Sequence, residues 1–316
     1  MVANGTSCHI ELELYVLAMK SWILFVVLTS FQIILSEAWS VPSLSRIGHR
    51  KAASSLFMAQ QAAPDISLDI LVSEGDEKSL SEAATFMVDA FWLSTARLLI
   101  PIQDDHQQVS VSDVTRKNLY EEQFSDLNAK YGERMGKRLL VSCLLTAIDK
   151  ESGQILGVVG VETSLLDRVK EDILSQGKAE TMLKDAVSML GPKQRRLYKD
   201  STVAEIAQDL LPDLQLVSCL SNLSVSPNAR RRGIAATLCA EAERVAASDW
   251  KFGSLFLKVE SENAAARHLY EQKLGYKLEY TIDSAPAIRI DVDAGCFIES
   301  EASTLVLAKK LSLGSI

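Results

Sequence analysis

The segment "NLSVSPNARRRGIAATL", residues 222–238, constrains the fold most strongly, because it joins the end of a strand to the start of a helix. An apolar strand pattern ends at Val225, and Pro227 cannot donate a hydrogen bond to a sheet. Three arginines follow, and then Gly233 precedes apolar residues at helical spacing, beginning with Ile234 and Leu238. The segment therefore predicts a tight strand-to-helix turn with arginines at the helix N-terminus.

A turn of this kind is suited to binding an anion. The first amides of a helix have no intrahelical acceptor, and the helix dipole places partial positive charge there. Arginine adds forked donors, and the small residues Gly233 and Ala235 let a phosphate approach the main chain. The phosphate motifs GxxxxGK[ST] and GxGxxG are absent. We predict a pyrophosphate-binding turn, with a solvated basic helix start as the alternative.

Composition excludes two other classes of function. The chain has 316 residues, 47% of them hydrophobic, and a net charge of −8. Nucleic-acid binding calls for a broad basic face rather than one arginine triplet, so no nucleic-acid partner is expected. The five cysteines and four histidines are scattered, without the close spacing of a zinc site, so we also expect no metal.

Residues 1–64 have the composition of a two-part targeting leader. The uncharged apolar run 22–35 is too short for a membrane span but suits a signal-peptide core. Residues 38–64 contain serines and the bases Arg46, Arg50 and Lys51 but no acid, which is typical of a transit peptide. We expect a signal peptide at about 19–40, with Met19 as a candidate initiator, and a transit-like segment at about 41–64.

This leader resembles those of plastid proteins in algae with complex plastids, and we expect a plastid location. A secreted or signal-anchored protein is the alternative. No stable membrane span is expected in the mature protein.

The remaining chain, residues 65–316, predicts one α/β domain with a mixed sheet. Apolar alternation and helical spacing indicate the order strand, two helices, hairpin, strand, helix, strand, helix, strand, strand. Expected strands cover 66–73, 139–149, 154–166, 214–225, 254–261, 276–283 and 303–311, and expected helices cover 79–93 and 113–130. A Lys/Glu-rich helical insert is predicted at about 165–212, either as a substrate or partner surface or as a loosely packed excursion.

A second motif lies about thirty residues beyond the arginines, in "ENAAARHLYEQKLGY" at 262–276. Asn263 is a natural helix cap, and Gly275 is suited to ending the helix. Tyr270 is spaced to share a helix face with Asn263 and Ala266. Together with Arg230-x-x-Gly233-x-Ala235, this motif resembles the two signatures of the GNAT acyltransferase superfamily. The resemblance covers 66–311, is strongest over 217–280, and is greatest to plant and algal plastid GNAT proteins.

The resemblance implies the GNAT acyl-CoA N-acyltransferase fold, an α/β fold whose mixed sheet of about six or seven strands opens in a V between the strands 214–225 and 254–261. It also implies acetyl-CoA as co-substrate. The residues expected to bind it are Leu223, Ser224, Val225, Arg230, Arg231, Arg232, Gly233, Ile234, Ala235, Ala236, Asn263, Ala266 and Tyr270.

The same resemblance implies direct attack of an amine on the thioester, with Tyr270 as general acid. Many relatives place a glutamate near the start of the strand 214–225, where this chain has no carboxylate. Glu162 is then the candidate base, acting through a water, and Asn222 is the alternative that orders one. Acidic residues between the last two strands, residues 282–303, favour a cationic acceptor, namely a protein lysine, a protein N-terminus or a polyamine, with an ordinary solvated loop as the alternative. Acetylation of small amines and a non-catalytic CoA-binding module stay open.

Overall fold

The computed structural model describes residues 67–73, 75–93 and 109–312. Within them lies a mixed sheet of eight strands. The strands are β1 Leu68–Val72, β2 Ser142–Asp149, β3 Ile155–Asp167, β4 Asp172–Ile173, β5 Leu214–Val225, β6 Ser254–Glu260, β7 Lys277–Asp291 and β8 Cys296–Lys310. The predicted α/β class and mixed sheet are confirmed.

Seven strands follow the order β1-β2-β3-β5-β6-β8-β7, and the two-residue strand β4 pairs with β3. The β5–β6 pair is parallel, and the other pairs are antiparallel. A parallel pair requires a crossover connection, and the helix Ile234–Arg244 between these two strands provides it.

The helices are α1 Glu77–Met87, α2 Asp113–Tyr131, α3 Gln176–Ser188, α4 Pro192–Arg195, α5 Val203–Leu210, α6 Ile234–Arg244 and α7 Ala264–Arg267. Helices α1, α6 and α7 continue as π-helical turns at Val88–Trp92, Val245–Asp249 and His268–Lys273. Side-chain caps explain several starts: Asp76 accepts from the amide of Ser79, and Ser112 accepts from that of Thr115.

Helices cover both faces of the sheet, as the alternation of side chains along the strands requires. Leu144 and Val158 belong to a core cluster with residues of α1 and α2. Their chain neighbours Leu145 and Val159 belong to a second cluster with residues of α6 and of the π-helical turn after α7. The sheet thus separates an α1–α2 side from an α6–α7 side.

The predicted insert between β3 and β5 is a packed helical layer. Leu183 of α3 and Ile206 of α5 are fully buried with Leu165 of β3 in one cluster, and burial of each such side chain contributes about 1.5–3 kcal/mol. Glu180 of α3 accepts from the amide of Leu140 and pairs with Arg134 at 2.9 Å, which ties the insert to the connection between α2 and β2.

The last two strands are longer than the sequence indicated. We expected residues 282–303 to be largely a loop, but β7 and β8 pair throughout from Lys277↔Ala308 to Asp291↔Cys296. Alternate residues such as Ala285 and Ala287 are buried, so the strand period continues between charged residues that point outward. The predicted acceptor-bordering loop is therefore a long hairpin with a short turn at 292–295.

The predicted leader, residues 1–64, lies outside the described ranges. Of the helices in 67–73, 75–93 and 109–312, none is long and apolar enough to cross a membrane.

Candidate functional site

Strands β5 and β6 separate half-way along their length. They pair only from Ser218↔Leu255 to Leu220↔Leu257, although β5 continues to Val225 and β6 to Glu260. The main-chain groups of Leu223 and Val225 consequently have no partner strand on the β6 side within the described chain. This opening, which we call the splay, confirms the V predicted between these two strands.

A β-bulge marks the start of the splay. Ser221 pairs with Gly160 and Ser224 pairs with Val158, so β5 contains one more residue than β3 over this stretch. Asn222 takes up the difference in the left-handed backbone region, at a φ of 54°. A bulge increases local twist and redirects the strand, which turns β5 away from β6.

The segment that follows β5 presents a row of unpaired amides. Residues 226–236, which we call the amide loop, pass through a 3₁₀ turn at Pro227–Ala229 and two left-handed residues, Arg231 at 65° and Gly233 at 84°. The amides of Ala229 and Arg230 bond back within the 3₁₀ turn, and the next amide that does so is that of Thr237, to the carbonyl of Gly233 at 3.0 Å. Within the described chain, the amides of residues 231–236 find no backbone acceptor. The predicted anion-binding turn therefore has its donors available.

The three arginines of the amide loop differ in position. Arg231 and Arg232 are exposed, and Arg230 is half-buried. The guanidinium of Arg230 donates to the carbonyl of Val225 at 3.3 Å and to that of Ala90 at 3.4 Å. Arg230 thus holds the amide loop against the π-helical turn after α1. Its direct contact with a cofactor stays a prediction.

The second motif forms the helix that was expected. Asn263 caps α7 by accepting from the amide of Ala266 at 3.1 Å, and Gly275 ends the helical segment at a φ of 76°. From His268 onward the helix has π geometry, a change that apolar spacing does not signal. π turns inside helices occur frequently at functional sites.

Tyr270 lies in this π turn and is buried, with 7% of its surface exposed. Its ring meets that of Tyr276 edge to face, with 5.8 Å between the centroids. The Lys309 ammonium lies 5.7 Å from the centroid of Tyr276 and is bound by both carboxylate oxygens of Glu243. This packing fixes the ring of Tyr270 beside the α6–α7 side of the splay.

Four polar side chains gather on the opposite, α1–α2 side of the sheet. The hydroxyl of Tyr131 lies 3.0 Å from Ser221 Oγ and accepts from Asn222 Nδ2 at 3.3 Å. Glu162 of β3 is close enough for its charge to act on Tyr131. We call Tyr131, Glu162, Ser221 and Asn222 the polar cluster. The sequence named Glu162 and Asn222 but missed Tyr131 and Ser221.

Burial sets the protonation behaviour of this cluster. It raises the pKa of Glu162 above the ordinary value of 4.5, while the positive charge of Lys130 acts in the opposite direction. Burial, followed by the charge of Glu162, raises the pKa of Tyr131 well above 10.0. Tyr131 therefore stays a neutral hydrogen-bonding group, and Glu162 is a carboxylate with increased affinity for a proton.

Two strand residues that border the splay carry enclosed polar atoms without a partner. Within the described chain, Glu162 Oε2 and Ser224 Oγ are buried and make no hydrogen bond. Such atoms are rare in folded proteins, and a bound ligand or water commonly satisfies them. Ser224 lies in the splay itself, and Glu162 is the cross-strand partner of Cys219, at the level of the β5–β6 pairs that precede the splay.

Gly160 provides the space that the Tyr131 hydroxyl occupies. A Cβ at this position would overlap with that hydroxyl and lie 2.7 Å from Ser221 Oγ. We expect Gly160→Ala to lower the free energy of unfolding by about 1–3 kcal/mol, as overpacking does, measured by denaturant titration. Gly177→Ala is the control, because a Cβ there meets nothing within 4 Å. Equal stability of the two variants would contradict this account.

The acidic residues predicted near the acceptor are arranged along the β7–β8 hairpin. Asp283, Glu299 and Glu301 are exposed. Arg289, the one base among them, is neutralised by Glu260 through two hydrogen bonds of 2.8 and 2.9 Å. Glu260 ends β6, so this ion pair lies at the open end of the splay.

No group of three or more His, Cys, Asp or Glu side chains in the described ranges is arranged to hold a metal ion.

Comparison with known families identifies the segment that carries both motifs. Residues 203–276 match the model described as the acetyltransferase (GNAT) family. This segment of the chain is thus similar to GNAT-family acetyltransferases. The matched segment includes β5, the amide loop, α6, β6 and Tyr270. The polar-cluster residues Tyr131 and Glu162 come from outside it.

The sheet and helices match the GNAT acetyltransferase fold, and several solved structures are similar to this chain. A GNAT acetyltransferase from Streptococcus pneumoniae is 16% identical with a TM-score of 0.38, covering 77% of this chain and 100% of that one. The ribosomal-protein-S18-alanine N-acetyltransferase of Escherichia coli is 15% identical with a TM-score of 0.36, covering 78% and 97%. Arabidopsis thaliana NAA60 is 12% identical with a TM-score of 0.37, covering 77% and 99%. Similarities of this size carry no information on activity. No curated protein matches the chain.

Proposed function

We propose that this protein is an acetyl-CoA-dependent N-acetyltransferase that modifies amines of proteins, at lysine side chains, N-termini or both. One observation carries the proposal. In the described chain, the splay opens directly before six unpaired amides on one side of the sheet, and it meets an enclosed carboxylate with a raised pKa on the other. A donor and an acceptor can therefore meet at the point where the two strands separate.

The donor side of the site is built from main chain. Amides of residues 231–236 would bind the pyrophosphate of acetyl-CoA, with the guanidinium groups of Arg231 and Arg232 beside them. Main-chain groups of Leu223 and Val225, which have no partner strand on the β6 side in the described chain, would bind the pantetheine arm as an added strand. The Leu223 or Ser224 amide would stabilise charge on the thioester oxygen. Acetyl-CoA supplies the activated acetyl group.

The acceptor side supplies a base. Glu162 would take a proton from the attacking amine, directly or through a water ordered by Asn222, and burial makes this carboxylate a stronger base than an exposed one. As the new C–N bond forms and the C–S bond breaks, the hydroxyl of Tyr270 would donate its proton to the departing sulfur. Tyr131 and Ser221 would hold the polar cluster in position by their mutual hydrogen bond.

The outer surface favours a cationic acceptor. The exposed carboxylates of Asp283, Glu299 and Glu301 attract an ammonium group, which must lose a proton before it attacks. Lysine side chains and protein N-termini have this chemistry.

The leader-like residues 1–64 and the resemblance to plastid GNAT proteins support a plastid location. A fluorescent reporter fused to residues 1–64 should accumulate in plastids. Accumulation in the secretory pathway would contradict this part of the proposal.

The direct test of the activity is acetylation of a proteome-derived peptide library by the full chain with acetyl-CoA, followed by mapping of acetylated positions by mass spectrometry. We expect acetyl groups on lysines or N-termini. Acetylation of polyamines but not of peptides would move the function to small amines. Binding of acetyl-CoA without turnover on either class would show a non-catalytic module and overturn the proposal.

A further inference from the structure

Six cations converge on an open cleft between the helical insert and the connection from α2 to β2, apart in sequence from the arginines of the amide loop. The cleft has a volume of roughly 430 Å³ and is also lined by Val187 and Ser188. Its cations are Lys137, Arg138, Lys184, Arg195, Arg196 and Lys199. We call this set the basic cleft. It stands out in a chain whose net charge is −8.

Most of this charge is unneutralised. Among the described residues, Lys137, Arg195, Arg196 and Lys199 form no ion pair, and residues 186–199 contain no acid. Lys184 approaches Glu180 at 3.9 Å, but that carboxylate is closer to Arg134, at 2.9 Å. Four like charges held together on one surface repel each other unless an anion lies among them.

Arg138 supplies a second, independent observation. It holds a left-handed backbone conformation at a φ of 64°, and its Nη2 atom donates to the carbonyl of Tyr198 at 3.1 Å. Its Nε atom is buried and has no hydrogen-bond partner in the described structure. The described residues therefore do not use the full hydrogen-bonding capacity of this guanidinium, which lines the wall of a cationic cleft.

Chain connectivity places the basic cleft near the acceptor side of the site. Arg138 precedes Ser142 by four residues, and Ser142 is the cross-strand partner of Glu162. Four extended residues and one strand spacing limit the separation of the Arg138 and Glu162 Cα atoms to about 20 Å. About six extended residues of a peptide span that distance.

We propose that the basic cleft binds an acidic segment of the polypeptide being acetylated, within about six residues of the acetylated amine. This inference rests on the proposed protein acetyltransferase function and adds a substrate preference to it. The acceptor amine would approach the carboxylates of the β7–β8 hairpin while its acidic segment binds the cations of the insert. Electrostatic complementarity of this kind selects partners and speeds association.

The lining of the cleft favours a peptide over nucleic acid. Single-stranded nucleic acid is usually bound by aromatic side chains on which bases stack, and the eight residues that line the cleft include none. Leu197, with 76% of its surface exposed, lies on the segment that carries the cations. An exposed leucine beside cations is also a combination that suits an anionic membrane, so such a membrane is tested beside the peptide.

The test compares two peptides with the same acceptor amine, taken from the library hits. One carries three glutamates, or in a second arm phosphoserines, about six residues from the amine; the other carries glutamines there. Both are assayed with the full-length protein and with the variant Arg195→Gln, Arg196→Gln, Lys199→Gln. The control variant Lys170→Gln, Lys178→Gln, Lys277→Gln removes the same charge from exposed positions outside the cleft.

We expect wild type and control to favour the acidic peptide by about tenfold in kcat/KM, the effect of one hydrogen bond to a charged group, and the cleft variant to lose the preference. Equal kcat/KM for the two peptides in wild type, or an undiminished preference in the cleft variant, would overturn the inference while acetylation itself upholds the function. If neither peptide is acetylated, binding of the labelled acidic peptide to wild type and to the cleft variant is measured by fluorescence anisotropy. Binding to wild type that the cleft variant loses supports the inference. Binding that the cleft variant keeps overturns it. Tighter cleft-dependent binding of a dT oligonucleotide or of phosphatidylserine vesicles would also overturn it.

Discussion

Replacing Tyr270 by phenylalanine is expected to lower kcat by about 10²–10⁴-fold, the contribution that a general acid typically makes. The change removes only the hydroxyl, so the edge-to-face packing with Tyr276 at 5.8 Å is retained. Acetyl-CoA binding should stay close to that of wild type, because the amide loop lies on a different segment. Steady-state kinetics and calorimetric titration with acetyl-CoA measure the two effects separately.

Tyr276→Phe is the matched control for this prediction. The Tyr276 hydroxyl is also buried, but it has no hydrogen-bond partner among the described residues. Removing it should affect kcat little, and it relieves an unsatisfied polar group. If Tyr276→Phe loses as much activity as Tyr270→Phe, or if Tyr270→Phe keeps wild-type turnover, Tyr270 is not the acid.

Replacing Glu162 by glutamine is expected to lower kcat/KM by about 10²-fold or more while making the protein more stable. Activity falls because an amide cannot accept the proton of the acceptor amine. Stability increases because burial raises the pKa of Glu162, which means that the folded state disfavours its charge. A carboxylate that lowers stability yet is needed for turnover has a catalytic rather than a purely structural role.

The direction in which Glu162 makes the stability of the folded chain depend on pH follows from its raised pKa. Below the ordinary pKa of 4.5, Glu162 is protonated in both folded and unfolded chains and does not lower stability. As pH rises through the raised folded pKa, the folded chain must release a proton that it holds more tightly than the unfolded chain does, so stability falls. The stability difference between Glu162→Gln and wild type should therefore grow over this window, and wild-type kcat/KM should rise over it.

Chemical denaturation and kcat/KM measured as functions of pH test both parts. Glu279→Gln, at an exposed position of β7, is the control and should change neither quantity. A Glu162→Gln protein that is less stable than wild type at neutral pH would show that the carboxylate is held by favourable bonds. Unchanged kcat/KM would leave Asn222 and its water as the proton path.

The donor side could be predicted from sequence because its parts are local. The strand end, Gly233 and the α6 pattern all lie within "NLSVSPNARRRGIAATL", and backbone chemistry makes the anion site there. Asn263 as a cap and Gly275 as a helix end were predictable for the same reason. The role of Arg230 was not, because its partner Ala90 is 140 residues away.

The acceptor side was only partly predictable. Glu162 was named by elimination, but Tyr131 and Ser221 belong to segments 90 residues apart and meet only through the fold. Gly160 gives no sign in the sequence that it makes room for a tyrosine hydroxyl. The length of the β7–β8 hairpin was underestimated because exposed acids obscure the alternation of its buried residues.

The register between β3 and β5 has a consequence for how the insert can vary. Asp167 and Leu214 are paired directly, so the two ends of the insert are adjacent in the sheet and the intervening chain is a closed loop. Doubling the length of such a loop costs only about 0.6 kcal/mol in closure entropy. What restrains the insert is the apolar surface of Leu140, Leu165 and Leu216 that it covers. Its outer residues, including Arg195, Arg196 and Lys199 of the basic cleft, can therefore change in size and charge, and with them the choice of substrate, while the sheet beneath keeps its register.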